Sequence, residues 1–170
     1  GMLAHKEPGF AVIDCGGVGY RLTVSQNTLA ALDRASAREG KVKLFTYMAV
    51  REDDVELFGF YTEEELTAFR QLIGVSGIGP KAAMGVLSAF TPDGLARAVC
   101  TEDVKAIAKS NGVGAKGAAR IVLELKDKMS YAGGGTEAPT AAATAAPAAK
   151  SAGLAEAAEA LTALGYARAE

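Results

Sequence analysis

Val75-Ser76-Gly77-Ile78-Gly79-Pro80-Lys81-Ala82-Ala83 and, 35 residues further on, Ser110-Asn111-Gly112-Val113-Gly114-Ala115-Lys116-Gly117-Ala118 follow one pattern. Both read Gly-aliphatic-Gly-x-Lys-x-Ala between segments of helical spacing. Glycines permit a tight turn and a close backbone approach to a ligand. The turn feeds a helix start, whose first N–H groups lack intrahelical partners and carry partial positive charge, a suitable seat for phosphate. Pro80 stands early in its helix, where a missing N–H disturbs no bond. Lys81 and Lys116 stand two residues after the second glycine, placed to meet the same phosphate. Ile78 and Val113 are expected to plug each turn into the core. One such turn alone reads equally well as a plain link between helices. Two copies with the same lysine offset point to phosphate binding, with the pair straddling a minor groove in sequence-independent contact.

The helical pattern around these turns starts at Thr62, where Thr62-x-x-Glu65 fits a capping box and Leu66, Phe69, Leu72 and Ile73 follow at helical spacing. A second helix is expected over Lys81–Ala89, and a third after the Thr91-Pro92 cap. A fourth is expected to open at Thr101 with Glu102 and Asp103, and a fifth over Lys116–Met129. Residues 63–131 thus read as an all-α domain. Upstream, residues 1–62 read as β. Phe10–Cys15, Gly19–Val24, Lys41–Tyr47 and Val55–Phe60 are short strands, and Ser25 caps a short helix to Leu32. Strands at this spacing suggest a small closed barrel or sandwich. Gly16-Gly17-Val18-Gly19-Tyr20 reads as a β-turn with a packed tyrosine. Downstream, 132–152 is almost all Ala, Gly, Thr and Pro, a flexible linker. Leu154, Ala157, Ala158, Leu161 and Leu164 then form one amphipathic helix with Gly165 as its C-cap.

The charge balance sets a condition on any DNA reading. The chain carries a net −2, with 7 basic and 8 acidic residues over 1–62, 9 and 8 over 63–130, and 2 and 4 over 131–170. Bulk attraction to DNA is therefore excluded. Affinity must come from a few placed cations and N–H donors, multiplied by self-assembly. Arg51-Glu52-Asp53-Asp54 lies between two strands and reads as a solvated hairpin tip, whose acids would repel DNA. One histidine (His5) and two separated cysteines (Cys15, Cys100) argue against a zinc site and for reduced thiols in the cytoplasm. No cofactor is implied. No apolar run reaches the roughly 18 residues of a membrane span, and no secretory signal pattern opens the chain. No catalytic set is legible either.

The chain resembles the RuvA family, the Holliday-junction-binding subunits of the bacterial branch-migration complex. The resemblance is carried by Val12-Ile13-Asp14-Cys15-Gly16-Gly17-Val18-Gly19-Tyr20, Val50-Arg51-Glu52-Asp53, Leu57-Phe58-Gly59-Phe60, the first hairpin, and Arg120-Ile121-Val122-Leu123-Glu124-Leu125-Lys126-Asp127-Lys128. It runs from 1 to about 130 and resumes at 154–168 in Ala160-Leu161-x-x-Leu164-Gly165-Tyr166. The family implies an α+β multidomain chain: an N-terminal OB-fold barrel, a central domain with two helix-hairpin-helix motifs, a flexible linker, and a C-terminal three-helix, UBA-like domain. It implies a homotetramer, with an octamer left open, that holds a four-way junction open for recombination and repair. It also implies a hexameric ATPase motor, RuvB, contacted by the C-terminal domain (here Leu161 and Leu164), and RuvC, a junction resolvase, as a further partner. The subunit itself is not an enzyme. On the family's pattern Gly77, Ile78, Gly79, Lys81, Gly112, Val113, Gly114, Lys116 and Arg120 contact DNA. Glu52 and Asp53 become an acidic pin at the junction centre.

Three departures qualify the resemblance. Ala115 stands where many members carry a second lysine. Gly1 matches a glycine inside the family's first strand, so that strand is expected to be incomplete and the barrel to lack an edge. The chain ends about one helix into the third domain, so 153–170 is expected to be only its start. Two other classes remain open on residues alone: an enzyme, such as a glycosylase or nuclease anchored by the hairpins, and a protein-interaction module whose glycine turns are purely structural. A hairpin glycosylase would place a catalytic Asp in a Gly/Pro-rich segment after the motif, whereas Asp127 falls in a lysine-rich helix.

Overall fold

Strand pairing begins at the N-terminus of the computed structural model, which describes residues 1–52 and 54–129. Asp53, the linker 132–152 and the terminal segment with Leu161 and Leu164 lie outside the described residues. Met2–Glu7 (β1), Phe10–Cys15 (β2) and Val18–Val24 (β3) form an antiparallel meander. Gln26–Glu39 (α1) then crosses over to Phe45–Val50 (β4), which turns into Val55–Phe60 (β5). β5 pairs parallel with β3, giving the sheet order β1-β2-β3-β5-β4 of an OB-like domain. β1 pairs with β2 from Met2 opposite Asp14 to Glu7 opposite Phe10, leaving only Cys15 of β2 without a partner in β1. Gly1 and Val42 exchange two backbone hydrogen bonds (2.9 and 2.8 Å), so the sheet's two edge strands meet at their starts. This bond also explains why the fourth strand starts at Phe45 rather than at Lys41: Val42 pairs with Gly1 before the alternating run joins β5.

The expected caps are made. Ser25 accepts the Thr28 N–H at 3.0 Å and opens α1, which runs on past Leu32 to a left-handed Gly40. Thr62 accepts the Glu65 N–H and opens Glu63–Ile73 (α2). Pro80 begins Pro80–Ala89 (α3), and Thr91 with Pro92 opens Pro92–Cys100 (α4). The next start differs from the sequence reading. Thr101 ends α4, Glu102 adopts φ 55°, and Asp103 caps the short Val104–Ala108 (α5) through the Ala106 N–H. The bonds Glu102 N to Val99 O (3.1 Å) and Asp103 N to Ala98 O (2.8 Å) close α4 by a Schellman turn, which draws Thr101 and Glu102 into the end of α4 and leaves the Asp103 side chain to open α5. Ala115–Leu125 (α6) stops before Met129, in a final turn held by the Lys128 and Met129 N–H groups on Leu125 O.

Two apolar cores result. Ala11, Ile13, Leu22, Val24 and Leu32 fill the barrel. The outer face of β4–β5 forms one wall of the helical core, where the Phe69 ring lies 5.2 Å from Phe58, 4.9 Å from Phe60 and 5.3 Å from Tyr47. Burying each such side chain is worth about 1.5–3 kcal/mol. Period 2 along β5 therefore serves two masters: Leu57 packs toward the barrel, while Phe58 and Phe60 pack on α2.

Candidate nucleic-acid interface

The two glycine turns are built alike. Gly77 (φ 81°) and Gly112 (φ 78°) take the left-handed conformation that an L side chain resists. In each, the middle aliphatic residue donates its N–H three residues back, Ile78 to Val75 O (3.0 Å) and Val113 to Ser110 O (3.2 Å). Ile78 and Val113 are both 6% exposed, so each turn is plugged into the core as expected. Gly79 and Gly114 then cap α3 and α6 with nearly identical backbone angles and no side-chain acceptor. No side chain accepts from the first N–H groups of either helix, which in α3 begin after Pro80, at the end where the helix dipole amounts to about half a positive charge. Lys81 and Lys116 are exposed in the first turn of these helices, and Ala115 is exposed beside Lys116.

The turns also pack on each other's helices. A Cβ on Gly117 of α6 would stand 3.2 Å from Ile78 Cδ1, so the first turn rests on α6. A Cβ on Gly112 would stand 3.5 Å from Ala82 Cα, so the second turn rests on α3. The repeat makes Gly85 and Arg120 equivalent, and here the two halves differ. Gly85 lets the Asn111 carbonyl approach so closely that a Cβ would lie 2.0 Å from its oxygen. Arg120 instead reaches out and donates from Nη1 to the Ser76 carbonyl at 3.2 Å. The guanidinium of the second hairpin's helix thus lies over the first hairpin's turn. Neither Gly85 nor this reach was read from the sequence. A glycine inside a helical pattern was the available signal for the former.

The acidic turn joins β4 and β5, with Arg51 N bonded to Asp54 O at 2.8 Å. Glu52 is exposed at its tip, and Asp53 lies outside the described residues. Met48, Val50 and Val55 flank the turn at 60%, 66% and 59% exposure, so the hairpin projects beyond the barrel core. Gly16 and Gly17 form the expected turn with positive φ, closed by Gly17 N on Asp14 Oδ1 at 2.8 Å, but Tyr20 is 45% exposed rather than packed. β3 and β5 pair only at Thr23–Val24, and the strands diverge before Tyr20. Cys15 and Cys100 are free thiols. Among the described residues no group of three or more His, Cys, Asp or Glu side chains could hold a metal, and no helix is long and apolar enough to cross a membrane.

One further ion pair lies at the end of α6, where Lys126 Nζ donates to Glu102 Oε1 at 2.5 Å. This hydrogen bond, and then the ammonium charge, hold the Glu102 carboxyl below the usual carboxylate range and raise Lys126 in turn.

Comparison with known proteins matches residues 1–59 to the RuvA N terminal domain and residues 69–127 to the SAM-like Helix-hairpin-helix tandem. A relative from Acetivibrio thermocellus is 43% identical over 170 residues, covering 100% of this chain and 83% of its own. One from Symbiobacterium thermophilum is 45% identical over 175 residues, covering 100% and 82%. A third, from Neisseria meningitidis serogroup C, is 50% identical over 129 residues, covering 76% and 65%. Each bears the name Holliday junction branch migration complex subunit RuvA.

Proposed function

The chain belongs to the RuvA family, and from that premise we propose that it binds four-way DNA junctions through backbone phosphates and holds them for branch migration. The observation that carries this reading is the pair of matched glycine turns, each ending on a glycine-capped helix with an exposed lysine in its first turn. Two such ends packed on one another offer two phosphate seats in fixed relation. Gly77, Gly79, Gly112 and Gly114 let the DNA backbone approach, while Ile78 and Val113 anchor the turns. Lys81 and Lys116 supply charge, and Arg120 adds a third cation next to the first turn. Contacts of this kind carry no base sequence.

A net charge of −2 makes one copy a weak binder. The reading therefore includes a homotetramer, in which four copies of a modest cationic face act on one junction as a multivalent grip. The acidic turn with Glu52 and Asp53 lies at the centre, where repulsion from phosphate keeps strands apart rather than binding them. The chain performs no bond-making chemistry. An ATP-driven hexamer, RuvB, does the mechanical work through the segment containing Leu161 and Leu164, and the RuvC resolvase acts on the same junction. This reading puts the protein in the bacterial cytoplasm.

Gel-shift titration of the full chain against a four-way junction and a linear duplex of equal length tests the proposal. A clear preference for the junction is expected. Equal affinity for both would sink the junction reading, and no binding to either would favour a protein-interaction module.

A further inference from the structure

The first turn of α1 is attached to two places that the function uses. Asn27 Nδ2 donates to the carbonyls of Leu87 (2.7 Å) and Phe90 (3.1 Å), at the C-terminal end of α3. The last carbonyls of a helix have no partner within it, so an amide from the barrel serves as their cap. Beside it, Gln26 N donates to Ser88 Oγ at 3.2 Å. One residue on, Thr28 Oγ1 donates to Glu65 Oε2 at 2.7 Å, and the same oxygen accepts the Tyr61 N–H at 3.0 Å. Thr28 is fully buried and Glu65 is 8% exposed. Glu65 thus closes only half of the capping box read from the sequence: its N–H bonds Thr62, but its carboxylate goes to Tyr61 and α1.

The geometry matters because of what lies at the other ends of these elements. α3 begins at the first glycine turn, with Lys81 in its first turn. β5, which ends just before Tyr61, begins at the acidic turn. The N-terminal turn of α1 therefore holds the far end of the first hairpin's helix and the far end of the acidic hairpin's strand within three consecutive residues. We propose that Asn27 and the Thr28–Glu65 pair are positioning residues that fix the first phosphate seat relative to the acidic turn, and so set the preference for branched over linear DNA. This inference rests on the junction reading above. Linear duplex engages the hairpins alone, whereas a junction must satisfy hairpins and acidic turn at once. A shift in their relation would turn the repulsion of the acidic turn from the open centre onto the arms, a cost that falls on the junction only.

The test measures dissociation constants of the full chain for junction and duplex, with thermal unfolding of each variant alongside. Thr28→Val removes the hydroxyl at nearly constant volume, Thr28→Ser keeps it, and Asn27→Ala removes the cap of α3 from a half-buried site. Thr28→Val and Asn27→Ala should each lower the junction-to-duplex preference about fivefold, the fold-change of one net hydrogen bond, with duplex affinity unchanged. Thr28→Ser should restore the wild-type preference. A preference unchanged in both variants, or equal losses on both DNAs, overturns the positioning role. Should Thr28→Val not fold, Asn27→Ala decides the matter by itself. A wild-type chain with no preference would instead fail the junction reading, so the two failures are distinct.

Discussion

Gly85→Ala sets two effects against each other, and the structure says which should win. In an unobstructed helix interior, replacing glycine by alanine stabilises by about 0.5–1 kcal/mol, because glycine loses more conformational freedom on folding. At Gly85 the new Cβ would stand 2.0 Å from Asn111 O and 2.9 Å from Asn111 C. Ordinary contact begins at 3.4 Å, so the second turn would have to retreat by more than an ångström, and the obstacle is backbone rather than a side-chain tip. Overpacking of this kind costs about 1–3 kcal/mol, and a rigid obstacle puts the cost at the upper end. A net loss of about 1–2 kcal/mol is expected, seen as a fall of roughly 4–8 °C in Tm. Moving the Asn111–Gly114 turn should also remove one phosphate seat, lowering the slope of log Kd against log salt for linear duplex by about one. Gly117→Ala is the matched control. Its nearest obstacle is Ile78 Cδ1 at 3.2 Å, the end of a side chain that can give way, so stability should hold or rise slightly. Thermal unfolding followed by circular dichroism and a salt titration by fluorescence anisotropy measure both. If Gly85→Ala were as stable as Gly117→Ala with an unaltered salt slope, the close packing of the second turn on α3 would be refuted.

Other outcomes follow from the same geometry. Lys81→Ala with Lys116→Ala should weaken junction and duplex binding alike and lower the salt slope by nearly two, read from the same titration; an unchanged slope would defeat the phosphate seats. Phe69→Ala should cost about 3–5 kcal/mol by urea unfolding, since its ring is fully buried among Phe58, Phe60 and Tyr47, and a cost below 1 kcal/mol would contradict the shared core. The Glu102–Lys126 pair gives a pH signature. The lowered acid contributes stability above the usual carboxylate range and loses it as pH falls through its folded value, while the raised amine loses its contribution only as pH climbs through its own. Glu102→Gln should therefore flatten the acid limb of the Tm–pH curve by a small amount, small because the pair is exposed; a steeper limb would reverse the sign of that argument. Glu52→Gln with Asp53→Asn should keep or raise junction affinity while changing strand opening at the crossover, measured by fluorescence of a base analogue placed there, and a large loss of affinity would remove the acidic turn from the junction centre.

Most of the candidate site's geometry was legible because it is local. A Gly-x-Gly turn needs left-handed φ at its first glycine, a plug between, and a helix start after it, all within five residues. The caps at Ser25, Thr62 and Thr91 and the proline at the start of α3 are decided over a similar span, and these boundaries agree with the structure. Local patterns fail where a distant partner intervenes. Lys41–Leu44 alternates like a strand, but Val42 pairs with Gly1 instead. Glu65 completes a capping-box pattern, yet its carboxylate serves Thr28, 37 residues away.

By itself, then, the sequence determined two Gly-x-Gly turns that each open a helix, a β half and a helical half, and an acidic tip between strands, because each depends on neighbours a few bonds apart. Only the tertiary structure decided that Gly85 is a gap for the second turn, that Arg120 serves the first turn across 44 residues, and that Asn27 caps a helix 60 residues away. A side-chain amide or guanidinium has no preference for one distant carbonyl over another. Which carbonyl it meets is settled by packing the two cores together, and no local pattern encodes that.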